Sequence, residues 1–193
     1  MKVSYEQSAA KPNQLPPPSL PELAFIGRSN VGKSSLLNAI LNYKGLARTS
    51  KTPGRTRMAN FFRVNDSCYF VDLPGYGFSA TSNDDHADWQ DLMNVYLTRS
   101  VIQRFLFVLD VRRDPTDVDF SLARELMAGA PVSLILTKCD KLNRSEQTRR
   151  GSELKQQFQA KKIHIKSIHM VSSLKKEGIE SLRDDLLGFS ATS

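Results

Sequence analysis

The residues Gly27-Arg28-Ser29-Asn30-Val31-Gly32-Lys33-Ser34 constrain this chain more than any other segment, because they fit the pattern GxxxxGK[ST]. The apolar run ELAFIG ends on Gly27. SSLLNAIL follows from Ser34, with Leu36, Leu37, Ile40 and Leu41 at helical spacing, so the motif lies between a predicted strand and a predicted helix. Glycines let such a loop curl against phosphates, while its amides and the helix N-terminus face negative charge. Lys33 can then reach the β- and γ-phosphates of a nucleotide, and the Ser34 hydroxyl can ligate magnesium. A chance glycine turn would seldom meet four specified positions with both flanks correct.

The rest of the chain repeats strand and helix in order. MANFFRVN and CYFVDLPG read as two strands joined at Asn65 and Asp66, a hairpin. A helix about 87–98, the strand FLFVLDV, a helix about 118–128, the strand PVSLILTKCD, a basic helix about 145–160, the strand IKSIHMVSS and a helix about 179–187 complete the series. This alternation predicts an α/β fold of the P-loop NTPase type. Its sheet is mostly parallel and six-stranded with one antiparallel strand, and helices cover both faces. Pro12, Pro16, Pro17 and Pro18 make residues 1–20 an extended leader over the surface, and 21–193 one domain. At 193 residues and 40% hydrophobic the chain can bury a single core. No apolar h-region or membrane-length run is present, and Cys68 and Cys139 lack metal spacing, so reduced thiols, no membrane association and a cytoplasmic location are expected. His86, His164 and His169 form no ligand constellation.

Two further motifs gain force from the first. Asp72 ends an apolar strand on the same sheet edge, where it can hold magnesium through water while the Gly75 amide meets the γ-phosphate. Thr137-Lys138-Cys139-Asp140 ends another; an aspartate there can accept hydrogen bonds from guanine N1 and N2, which adenine does not offer, and the Lys138 stem would pack along the base. Val171-Ser172-Ser173 can present backbone amides to the guanine oxygen. The polar loop 46–57 is long enough to be functional, its natural task being to send one threonine to magnesium: Thr56, with Thr52 less favoured. Residues 74–85 form a second expected mobile segment. The net charge of +7 is localised, since 144–176 carries nine Lys or Arg against two acids and the remainder balances. Such a stretch suits a polyanion such as RNA, or is simply a solvated helix face.

These motifs resemble the EngB (YihA/YsxC) family of bacterial ribosome-biogenesis GTPases, relatives of Era and EngA. The likeness covers nearly the whole chain, from GRSNVGKSSLLNAI through LARTSKTPGRT and VDLPGYGF to LTKCDKL and VSSLKK. It implies GTP and GDP as ligands, magnesium on Ser34 and Thr56 beside Asp72, and a partner in the large ribosomal subunit or its rRNA. A role in cell division and septation is implied as well, with no DNA partner and a monomeric state. Carried over by position, nucleotide contacts fall on Gly27, Arg28, Ser29, Asn30, Val31, Gly32, Lys33 and Ser34; on Gly54, Arg55, Thr56, Arg57 and Met58; on Asp72, Leu73, Pro74 and Gly75; on Thr137, Lys138, Cys139 and Asp140; and on Val171, Ser172 and Ser173. Lys33, Thr56 and Gly75 are the residues expected to act on the γ-phosphate. The sequence departs from the wider GTPase pattern twice. Thr137 replaces the asparagine of NKxD, removing a bracing amide and implying modest affinity. Tyr76 follows DLPG where Ras-like enzymes carry a water-orienting glutamine, implying very slow turnover assisted by another factor or a cation. Asn30 is open to two readings, a potassium ligand beside the phosphates or a brace for loop backbone. A nucleotide kinase, a nucleotide-stabilised rRNA adaptor and a septin-like filament component are the rivals; a kinase gives no reason for TKCD or DLPG.

Overall fold

A computed structural model of the chain describes residues 1–43, 58–77 and 83–188, the side chains of 83–86 excepted. Its strands are β1 (Val3–Ala9), β2 (Glu22–Gly27), β3 (Ala59–Val64), β4 (Cys68–Asp72), β5 (Ile102–Asp110), β6 (Val132–Thr137) and β7 (Ile165–Met170). Its helices are α1 (Lys33–Leu41), α2 (Asn83–Leu97), α3 (Asp117–Gly129), α4 (Arg144–Ala160) and α5 (Ile179–Gly188), with short 3-10 turns at Pro12–Gln14 and Cys139–Lys141. The sheet order is β1-β3-β4-β2-β5-β6-β7. Only β3 runs against the others, pairing antiparallel with both β1 and β4.

The α/β architecture agrees with the sequence pattern, but the sheet has seven strands, not six. The additional strand is the leader itself. Val3 to Ala9 pairs with Val64 to Ala59 before Pro12 turns the chain, so the segment expected to run loosely over the surface extends the sheet. The hairpin turn is as read: Asn65 and Asp66 have φ of 50° and 54°, the left-handed pair that a tight two-residue connection requires.

Every residue of β2 is buried, as befits a central parallel strand covered on both faces. One face packs Leu92, Tyr96, Phe120, Leu126, Leu154 and Phe158 from α2, α3 and α4. The other packs Leu36, Leu37, Ile40, Leu182 and Leu186 from α1 and α5. Each fully buried side chain of this kind contributes about 1.5–3 kcal/mol through removal of apolar area from water. The parallel strands thus end together on one edge, where polar residues collect. Among the described residues no helix is long and apolar enough to cross a membrane.

One buried ion pair ties the leader to this body. Glu22, fully buried at the start of β2, accepts from Arg99 Nε at 3.1 and 3.2 Å, and Arg99 Nη1 donates to the Pro16 carbonyl at 2.9 Å. Removing one partner would strand a charge in the core. Arg99→Ala should therefore lower unfolding stability by about 3–5 kcal/mol in urea titrations, and a loss below about 1 kcal/mol would show that Glu22 is not dependent on it.

Candidate functional site

Helix α4 shows how a helix start is normally satisfied here. Asn143 accepts from the Glu146 amide at 3.0 Å, and Glu146 returns the bond to the Asn143 amide at 2.8 Å. Helix α1 has no such cap. Gly32 precedes it at φ 101° with no side-chain hydrogen bond, so the first amides of α1 face outward with the positive end of the helix dipole. Lys33, on the same turn, is buried and paired with the buried Asp72 of β4. Ser34 is half-buried beside it. An uncapped helix end, a lysine and a carboxylate suit a polyphosphate and a divalent ion: magnesium takes only one or two protein groups where phosphates complete its shell. No cluster of three or more His, Cys, Asp or Glu exists among the described residues that would suit a metal held by protein alone.

Gly75 lies against the phosphate loop. A β-carbon there would meet Ser29 Oγ at 3.1 Å and the Gly27 carbonyl at 3.2 Å, so the loop backbone packs tightly on this residue and a side chain would push on it. One residue on, Tyr76 forms a parallel bridge to Arg28, while Leu73 donates its amide to Phe25 at 2.9 Å. The Tyr76 hydroxyl donates to Asp119 Oδ1 at 2.6 Å, and its ring stacks on Phe107 with centroids 5.9 Å apart. Arg28 Nε donates to the same Asp119 oxygen at 2.9 Å, and Oδ2 accepts from the Thr116 amide at 2.6 Å and hydroxyl at 2.9 Å. Burial first, then the Asp119 carboxylate, push the Tyr76 phenol well above its ordinary range, so it stays a donor and cannot act as a base. Sequence reasoning missed Asp119. The signal was present as Thr116-Asp117-Val118-Asp119, the first turn of a predicted helix with an acid three residues past a threonine.

The base-side edge grows from β6. Thr137 Oγ1 donates to the Val31 carbonyl of the phosphate loop at 2.7 Å, with the Leu109 carbonyl at 3.1 Å sharing that hydrogen. The bracing that the asparagine-to-threonine change was expected to abolish is therefore made by a hydroxyl. Lys138, at φ 61°, donates to the Asn30 carbonyl at 3.1 Å and pairs with Asp110 Oδ2 at 3.0 Å. Asn30 itself sits at φ 61°, a left-handed conformation that asparagine tolerates well. Asp110 was also missed, though it ends β5 as Asp72 ends β4. Burial works to raise its carboxyl, but hydrogen bonds from Arg112 and Lys138 outweigh this and hold it below the ordinary range.

Asp140 Oδ1 accepts from the buried Ser172 hydroxyl at 2.7 Å, the first cause of its lowered pKa, and Ser172 Oγ accepts from the Lys175 amide at 3.1 Å. Beside these lies a cleft of about 1070 Å³ lined by Gly32, Thr137, Lys138, Asp140, Ser173 and Leu174, ample for a nucleotide base and sugar. Cys139 is buried, and burial followed by Glu177 pushes its thiol up to about 11, so it is inert; Cys68 is likewise buried and in no disulfide among the described residues. Val171 directly follows β7 and is fully buried, with its amide on the Leu136 carbonyl at 2.9 Å. Pro74 is buried and Met58 exposed. Gly54, Arg55, Thr56 and Arg57, with Thr52, lie outside the described residues.

This geometry defines a P-loop GTPase, and comparison with known proteins agrees. Residues 22–138 match the family model of the "50S ribosome-binding GTPase". The "Probable GTP-binding protein EngB" of Citrifermentans bemidjiense is 41% identical over 94% of this chain and 84% of its own length. A crystal structure of a "probable GTP-binding protein engB" superposes with a TM-score of 0.70 at 21% identity, covering 89% of this chain and all of that one. The crystal structure of Era in complex with MgGDPNP and a segment of 16S ribosomal RNA has a TM-score of 0.66 at 20% identity, over 88% of this chain and 56% of Era. The chain belongs to the EngB family of GTP-binding proteins. It is a GTPase, which decides against the kinase reading.

The hydroxyl brace gives a direct test. Thr137→Val keeps the shape and removes the hydroxyl that donates to Val31. GDP affinity should fall by about tenfold, equivalent to about 1.4 kcal/mol, in titrations with a fluorescent GDP. An unchanged affinity would mean that the phosphate loop keeps its shape without β6.

Proposed function

We propose that this protein is a GTP-driven switch in assembly of the large ribosomal subunit, acting as a cytoplasmic monomer needed for normal cell division and septation. The observation that carries the switch is the joining of Thr137 to Val31 and of Lys138 to Asn30, which makes phosphate grip and base reader one body. The ribosomal assignment is supported by the family model's description and by the rRNA held by Era. Lys33 would hold the β- and γ-phosphate oxygens, exchanging Asp72 for them. Ser34 and Asp72, with Thr56, would bind magnesium, and the Gly75 amide would meet the γ-phosphate. When bound, magnesium supplies charge neutralisation of the phosphates. Asp140 would read guanine, with Ser173 and Val171 backbone around it. Intrinsic turnover would be very slow, because Tyr76 is spent on Asp119 and does not orient water. Potassium at Asn30 is a candidate accelerator, checked by comparing GTPase rates in potassium and sodium.

The deciding measurement is sedimentation with purified large subunits in GTP, GDP and no nucleotide. Co-sedimentation that depends on GTP is expected. Equal binding in all three states would instead favour a nucleotide-stabilised rRNA adaptor, and none in any state would remove the ribosomal reading. Independently, Asp140→Asn should weaken GTP by roughly 100-fold through loss of two charge-assisted hydrogen bonds, and Lys33→Ala should do at least as much. Parent-like affinity in either variant would put the nucleotide elsewhere.

A further inference from the structure

The basic stretch 144–176 is one block in sequence and two surfaces in the fold. On the α3 side its cations are already engaged. Arg150 pairs with Asp114 at 2.7 Å and donates to the Val111 and Arg113 carbonyls at 2.9 and 2.7 Å. Arg149 pairs with Glu153 at 3.5 Å, and Lys161 lies 5.5 Å over the Phe120 ring and 3.8 Å from Asp117. The charge left over for a partner is on the other side of α4.

There a groove of about 900 Å³ runs between α4 and β7, the outermost strand of the sheet. Arg144, Lys155 and Lys175 stand exposed along it, and among the described residues no carboxylate pairs with any of the three. Lys166 of β7 lines it as well. Of the two acids at its end, Asp140 pairs with Lys141 at 3.5 Å and Glu177 accepts from the Cys139 thiol at 3.7 Å, so the four cations lining the groove outnumber the acids. Half-buried Ile168 and Met170 provide an apolar floor. Cations on the rim over an apolar floor match a single nucleic acid strand, with phosphates on the lysines and base faces below. Uncompensated positive charge selects this occupant over an extended peptide added to the β7 edge.

The groove also touches the nucleotide site through one loop. Lys175, Glu177 and Gly178 face the groove, while Ser173, Leu174 and Lys176 face the base-side cleft. Between them Ser172 holds Asp140, and its oxygen takes the Lys175 amide. A ligand that fixes Lys175 therefore acts on the group that holds the guanine-reading carboxylate.

We propose that the groove between α4 and β7 is a binding surface for single-stranded RNA, coupled to guanine binding through the loop from Ser172 to Gly178. This rests on the ribosomal reading above and names the face that would carry it. The test uses the full chain and a fluorescent uridine oligonucleotide, read by anisotropy over a salt series. Arg144→Glu with Lys155→Glu and Lys175→Glu should weaken binding by more than about tenfold and reduce the slope of log K against log salt by about 2, as expected for three lost phosphate contacts. The double variant Arg144→Glu with Lys155→Glu, which leaves the loop intact, should show the same direction. Arg149→Glu with Lys161→Glu and Lys162→Glu changes net charge equally and should cost less than half as much. Equal losses in the two triple variants, or parent-like binding by the groove variant, overturn the assignment. So does a parent that binds an acid-rich peptide and no RNA. Saturating oligonucleotide should change the equilibrium affinity for fluorescent GDP by about threefold or more, through the reciprocity of linked sites; an identical affinity overturns the coupling. A groove variant that still sediments with large subunits removes the groove alone, whereas a parent that never sediments with them removes the ribosomal reading too.

Discussion

A single hydroxyl hydrogen, on Thr137, holds the site together. It points at two carbonyls, Val31 in the phosphate loop and Leu109 at the end of β5, so three elements meet at one atom. An asparagine amide would bring two hydrogens to the same place. The threonine does with one because β5 and β6 are already in register there, Asp110 opposite Thr137, and the main chain supplies most of the alignment. Lys138 and Asp140 follow within three residues, so the position of both the cation and the carboxylate proposed to read guanine depends on where Thr137 sits.

The charges of the site are compensated internally. Lys33 has Asp72, Lys138 has Asp110, Arg28 has Asp119, and Asp140 has Lys141. An unpaired buried charge costs several kcal/mol, so pairing lets the chain fold with a charged edge. Under the function proposed above, nucleotide binding would be an exchange of partners: Lys33 would leave Asp72 for a phosphate, and a divalent ion arriving with the phosphates would compensate the Asp72 carboxylate.

The elements legible in the sequence were those whose signals are local. The phosphate loop, the Asn65-Asp66 turn and the long apolar strands follow from neighbours within a few residues. Strand β1 was not legible, because VSYEQSA at the sheet edge buries only Ala9 and shows no apolar alternation; its pairing with β3 lies more than fifty residues away. Asp119 and Asp110 escaped for a related reason. Arg28 lies 91 positions from Asp119, and Lys138 twenty-eight from Asp110, and neither distance leaves a trace in spacing. Thr137 was seen but misjudged, since substitution was read as loss when the hydroxyl still reaches Val31. The basic stretch was seen as one surface because a linear count has no faces.

Tyr76 shows what the departure from a glutamine provides. Asp119 receives four hydrogen bonds, from Arg28, Tyr76 and twice from Thr116, which is close to all its lone pairs can accept. The carboxylate thus joins the phosphate loop, the residue after Gly75 and the start of α3. Movement of Gly75 toward a γ-phosphate would pull on Tyr76, and its hydroxyl cannot leave without losing a bond to a buried charge, a cost of about 1.5–3 kcal/mol. A glutamine at this position could not stack on Phe107 or fill the same space. The tyrosine therefore fastens the residue after Gly75 to the start of α3, through Asp119.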